Sequence, residues 1–177
     1  MWCSSQGRRP CSGLLCLAFL LVWVCQGCGY QFSASAPITL PENMTRLYFE
    51  KLANPSTEPW LEPSMRSEIR QEFSRRGQVR WVEETQAEGL LQVDITRFSS
   101  SAKLEDAQED TVKSEVVLEI QARIFRQADR ELVWRSGNVS ARVSYTGPED
   151  SSQEREAQED ALDLVVERLA NQMSQSF

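Results

Sequence analysis

Val116-Val-Leu-Glu-Ile-Gln-Ala-Arg-Ile-Phe125 is the stretch on which the fold turns. Val116, Leu118, Ile120, Ala122 and Ile124 share one parity, and Val117, Glu119, Gln121, Arg123 and Phe125 share the other. Successive side chains of a strand point to opposite faces, so the pattern predicts a strand with one dry and one wet face. Upstream, Leu91, Val93 and Ile95 alternate with Gln92, Asp94 and Thr96. Downstream, Leu132 and Trp134 occupy even positions while Val139, Ala141, Val143 and Tyr145 occupy odd ones. That change of parity at Ser136-Gly137 is what one extra, bulged residue produces. Polar-out alternation implies an antiparallel sheet covered on one side only. The first two of these strands are joined by the polar segment 99–111 (SSSAKLEDAQEDT), read as a long hairpin tip. Ala128-Asp129-Arg130 makes the next, tighter turn.

The flanking segments supply the second layer. Leu61, Met65, Ile69 and Phe73 recur every fourth residue, which predicts an amphipathic helix over 58–76. Pro63 is tolerated only in the first turn, which places the regular start near Glu62. Gly77 follows Arg75-Arg76 and is a C-terminal stop, with cations at the negative helix end. Leu162, Val165, Leu169 and Met173 form the apolar stripe of a second helix over 152–174. Arg46-Leu-Tyr-Phe-Glu-Lys-Leu52 reads as a first strand, and Gln78-Val-Arg-Trp-Val82 as a brief extended link. The expected architecture is α+β: a two-layer sandwich with two helices packed on one face of a mostly antiparallel four-stranded sheet.

The N-terminus has a different character. Arg8 and Arg9 precede the apolar run from Gly13 to Val24, which falls short of the ~20 residues a spanning helix needs. A basic start, a short apolar run and small residues after it describe a secretory signal peptide. The run ends Cys25-Gln-Gly-Cys28-Gly-Tyr30, and a small residue directly before a cysteine resembles a bacterial lipobox. That resemblance implies acylation of Cys28, which becomes the first mature residue. Gly29 in place of Asp after it implies the outer membrane. Cys25 and Gln26 stand where lipoboxes usually carry Leu and Ala or Ser. The expected organisation is a signal peptide over 1–27, an acylated N-terminus and tether over 28–44, and one domain over 45–177. Asn43-Met-Thr45 and Asn138-Val-Ser140 match the glycosylation tripeptide, which a bacterial cell ordinarily leaves bare.

Composition narrows the chemistry. The 177 residues carry a net charge of −7, no histidine, and all five cysteines within the first 28 positions. A disulfide framework, a cysteine-ligated metal and a thiol nucleophile are therefore excluded across 29–177. No metal and no cofactor other than a covalent lipid on Cys28 is expected. The acidic balance argues against nucleic acid, which needs a basic face to neutralise phosphates. No Walker loop, dinucleotide-binding glycine pattern or nucleophile elbow occurs. Glu83-Glu84 and Glu105-Asp106 read as solvated charge rather than a catalytic pair. Ser99-Ser100-Ser101 near Lys103 reads as a polar tip, since nothing there lowers the pKa of Lys103. Arg66 and Arg70, one turn apart, could share a phosphate, but the interleaved Glu68 and Glu72 favour ordinary intrahelical pairing. The expectation is a protein that is not an enzyme.

The lipobox ending in Cys28-Gly29-Tyr30, followed by strand, helix, three strands with a long first hairpin and a final helix, resembles the LPS-assembly lipoprotein family, LptE. The resemblance covers 28–177. It implies a non-catalytic outer-membrane lipoprotein, held to the inner leaflet by its anchor on the periplasmic side. Members plug the lumen of a large outer-membrane β-barrel translocon (LptD-like), assist its folding and help deliver lipopolysaccharide to the surface. The family carries basic residues at the hairpin tip and in the loop before the last helix. Lys103 occupies the matching hairpin, with Arg97 near its base, so both are the lipopolysaccharide-binding residues implied. The second loop, Thr146 to Glu154, is acidic where the family carries a lysine. The alternative from a different class of envelope machine is an accessory lipoprotein of an ABC-type transporter or a cell-wall synthase.

Overall fold

The alternating stretch lies inside a long central strand of a six-stranded sheet. The computed structural model describes residues 37–77, 79–103, 113–146 and 152–176. Its elements are β1 (Arg46–Ala53), α1 (Leu61–Arg76), β2 (Arg80–Trp81), β3 (Gly89–Lys103), β4 (Lys113–Arg126), β5 (Leu132–Arg135), β6 (Val139–Thr146) and α2 (Ser152–Ser174). The sheet order is β2-β1-β3-β4-β5, and β6 pairs with β4 as well.

This corrects the expected sheet. It has six strands rather than four, because Arg80–Trp81 pairs as a strand and 132–145 divides in two, and it is mixed rather than mostly antiparallel because β1 runs parallel to both β2 and β3. The cause is the connection: β1 reaches β3 through α1, and a helical crossover returns the chain in the same direction. Alternation within β1 is the same in either direction, so its residues carry no sign of this. The segment 132–145 is two strands instead of one. β5 pairs with the Arg123–Phe125 end of β4, and β6 with its Lys113–Ile120 part. Ser136 heals the break: its N–H donates to Ala122 O at 2.9 Å, and its Oγ accepts from Ala122 N–H at 2.8 Å. The side chain thus takes an amide the interrupted ladder leaves without a carbonyl, and the inward parity resumes at Val139.

The hairpin is also longer than expected. Pairing of β3 with β4 continues to Lys103 opposite Lys113, so Ser99–Ser101 belong to a strand and not to the tip. Ser100 explains why polar residues extend the ladder here. Its hydroxyl sits 3.2 Å from the Tyr145 hydroxyl and hydrogen-bonds the buried Glu154 carboxylate of α2.

Both helices cover the face formed by Leu91, Val93, Ile95, Leu118, Ile120 and Ile124. α1 contributes its predicted stripe, with Leu61, Met65, Ile69 and Phe73 all fully buried. α2 contributes Ala161, Leu162, Val165, Leu169 and Met173. Ile38, Leu40 and Met44 join the same core, so the part of the presumed tether that is described, 37–44, is folded against the domain. These apolar residues lack a helix or strand period because Pro41–Asn43 is a 3-10 turn. Two glycines matter for packing. A Cβ on Gly89 would lie 2.9 Å from Leu47 Cδ2 and 3.0 Å from Met44 Sδ. Gly77 ends α1 with an extended backbone (φ −129°) rather than the left-handed one usual at such stops. Its hydrogen serves the close approach of Ile38, whose carbonyl oxygen would be 3.2 Å from a Cβ.

Candidate functional site

The face of the sheet away from the helices is largely polar, with Val117 buried among its members. Parity along the strands assigns its members. β3 contributes Gln92, Asp94, Arg97 and Ser99; β4 contributes Arg123, Gln121, Glu119 and Val117; β5 and β6 add Arg135, Ser140 and Arg142. A register shift between Ile95 and Arg97 leaves Thr96 over, and its hydroxyl donates to Glu119 O at 3.1 Å. That extra residue is why Ile95 and Phe98 both face the helices while Arg97 faces away. Phe98 meets Trp60 edge-to-face at 5.9 Å, and Trp81 lies between Phe49 and Phe73. Both aromatics are therefore packing residues of the helix side.

Local carboxylates neutralise part of the cationic set. Arg123 pairs with Asp94, and Arg130 reaches across the turn to Glu50 and Glu84. Arg126 holds Glu42, Asp129 and Glu131. Glu88 clamps the start of the parallel pair: its carboxylate accepts from Thr45 N–H at 2.7 Å and from the Arg46 backbone and guanidinium. The Thr45 amide in particular holds the Glu88 carboxyl below its ordinary value. Arg97, Arg135 and Arg142 are exposed and make no ion pair within the described residues.

The helix side handles its charges differently. Arg76 is almost fully buried between the helices, with Glu72 and Asn171 as its partners and Glu167 at 3.9 Å. Glu68 and Asp163 flank this cluster, and burial together with neighbouring carboxylates raises both. Arg66 pairs with Glu62 and stacks 4.4 Å from the Phe49 ring centroid, while Arg70 covers Trp81. The interleaved Glu68 and Glu72 expected as their partners are not used: Glu72 pairs with Arg75 and Arg76, and Arg70 makes no ion pair among the described residues.

Of the residues singled out in the sequence, Arg97 is thus an exposed cation on the open face. Lys103 ends β3, in register with Lys113. Six strand positions separate Arg97 from Lys103, roughly 20 Å at 3.3–3.4 Å per residue, too far to grip one phosphate together. Cys28, the hairpin tip over 104–112 and most of the acidic loop before α2 lie outside the described residues. Arg135 and Arg142 were not singled out. Their signal was available: they occupy polar positions of opposite parity on either side of the Ser136 break. Among the described residues no cluster of His, Cys, Asp or Glu has the arrangement to hold a metal, and no helix is long and apolar enough to cross a membrane.

Small bacterial lipoproteins have a similar fold. Lipoprotein B of Nitrosomonas europaea has 17% sequence identity and a TM-score of 0.52, covering 84% of this chain and 90% of that one. Lipoprotein GNA1162 of Neisseria meningitidis has 14% identity and a TM-score of 0.50, covering 75% of this chain and 99% of that one. No curated protein matches the sequence significantly. The lipopolysaccharide-assembly family model, LptE, matches residues 44–176, and the chain belongs to that family. It is a family of accessory lipoproteins rather than enzymes.

Proposed function

We propose that this protein is an outer-membrane lipoprotein that plugs and assists assembly of the β-barrel lipopolysaccharide translocon and helps deliver lipopolysaccharide to the cell surface. The observation that carries the reading is the family match over 44–176. Cys28 bears the acyl anchor, and two or more buried chains hold a protein to a bilayer far better than one. A barrel interior is polar and accepts a hydrophilic plug, which suits a domain whose uncovered sheet face is charged. Lys103, at the end of the hairpin, is the residue offered to the anionic lipid. Arg97, about 20 Å back along the same strand, serves a separate contact.

The test is to solubilise the native outer membrane in mild detergent and identify what the tagged full-length chain retains. A large outer-membrane β-barrel at equal stoichiometry supports the reading. A free monomer, a transporter or a cell-wall synthase overturns it. In the same cells Cys28→Ala should abolish labelling by radioactive fatty acid, and unchanged labelling would refute the anchor.

A further inference from the structure

The charge register of the sheet is one-sided. Charged residues face each other across strands as Arg46–Arg80, Arg123–Arg135 and Arg97–Glu119. Every like-charged pair in the described sheet is cationic, in a chain whose acids outnumber its bases by 26 to 19. Like charges directly opposite one another weaken a sheet, so folding alone does not account for them. In both like-charged pairs one arginine is neutralised locally, Arg46 by Glu88 and Arg123 by Asp94. Arg80 and Arg135 are left exposed without an ion pair among the described residues, as are Arg97 and Arg142. α2, on the other side of the domain, has six acidic residues and two basic ones.

We infer that the open face of the sheet is a docking surface for a carboxylate-bearing protein wall, engaged through Arg97, Arg135 and Arg142. Resting on the function proposed above, that wall is the inner surface of the barrel. The arrangement favours protein over a phosphate-bearing lipid. Glu119 lies directly opposite Arg97, and Asp94 occupies the row beside it, so a compact bisphosphate meets carboxylates between the cations. A protein surface can alternate its own side chains to match such a mosaic, and the free guanidiniums suit carboxylate pairing. A second copy of this chain fits less well. Its acidic α2 would have to meet this face in a head-to-tail contact, which does not close on itself as a two-fold dimer does.

The test places a photoreactive phenylalanine analogue in the full-length chain in its native envelope. Gln121 and Ser144 report on the open face, and Glu156 and Glu159 on the exposed side of α2. Adducts with a β-barrel from the open-face positions, and none from α2, support the inference. Barrel adducts from α2 alone, or equally from both faces, overturn it and leave the proposed function standing. An open-face adduct with a second copy or with lipid also overturns it. No barrel adduct from any position overturns both. Independently, the triple variant Arg97→Glu/Arg135→Glu/Arg142→Glu should reduce the barrel recovered by about tenfold or more, whereas the lysine triple should retain it. Unchanged recovery with the folded glutamate triple refutes the inference, and the adducts decide the matter if that variant does not fold.

Discussion

The two faces of one sheet obey different rules here. On the helix-covered face, Ile95, Ile120 and Val139 stand side by side across three strands, each at most 6% exposed. Every side chain is surrounded, so its shape and volume are constrained. One residue along the same strands, Asp94, Gln121 and Asn138 form a polar row in which the Gln121 amide donates to Asn138. There water is an alternative partner for each group, so the fold tolerates exchange and even like-charge pairs. The dry face specifies the architecture, and the wet face is free to carry cations whose arrangement costs stability.

Adjacent residues of β4 test that contrast most strongly. Ile120→Ala should cost about 2–5 kcal/mol in urea unfolding, because it leaves a cavity at the centre of the core. Gln121→Ala should change stability by less than about 0.5 kcal/mol; a cost matching that of Ile120→Ala would abolish the distinction. Gly89→Ala should destabilise by about 1–3 kcal/mol through overpacking against Leu47, Met44 and Ile124. A neutral result would mean that the β1–β3 junction yields more readily than its packing implies.

Smaller effects sharpen the picture on the wet side. The Glu88 carboxylate sits below the ordinary glutamate value of 4.5 when folded, so its contribution is present above that pH. It is lost as the pH falls through the folded value. Glu88→Gln should cost about 1 kcal/mol at neutral pH, discounted for its partial exposure. It should also flatten the acid limb of the stability–pH curve, and an unaltered limb would remove Glu88 from the clamp. The least effect, and one of opposite sign, belongs to Arg135→Thr. Relieving its apposition to Arg123 should raise stability by about 0.2–1 kcal/mol in thermal unfolding. A loss of stability would show that the paired arginines are held for the fold rather than for a partner.

Much of this was legible from residue order. Period-2 alternation marks faces wherever one side is buried, so the inward sets of β3, β4 and β6 followed directly, whereas Leu132, expected inward with Trp134, is exposed opposite Phe125 because the register shifts between Ile124 and Phe125. Period-4 stripes marked both helices to within a few residues. Arg97 could be assigned to a polar position only approximately, since the extra residue at Thr96 shifts parity and no composition announces it. Arg135 and Arg142 become members of a common surface only when β5 and β6 both lie against β4. Arg46 and Arg80 meet because β2 returns beside β1, across 33 intervening residues.

By itself, then, the sequence determined most of the dry stripe of each helix and long strand, where the helices run, and that histidine and cysteine chemistry is absent from the body of the domain. Those properties depend on local periodicity and composition, which pairing partners do not alter. The tertiary structure alone decided strand direction, the mixed six-stranded order and the gathering of isolated cations onto one face. Each of these depends on contacts between residues far apart in the chain, and alternation is blind to which strand lies next door and which way it runs.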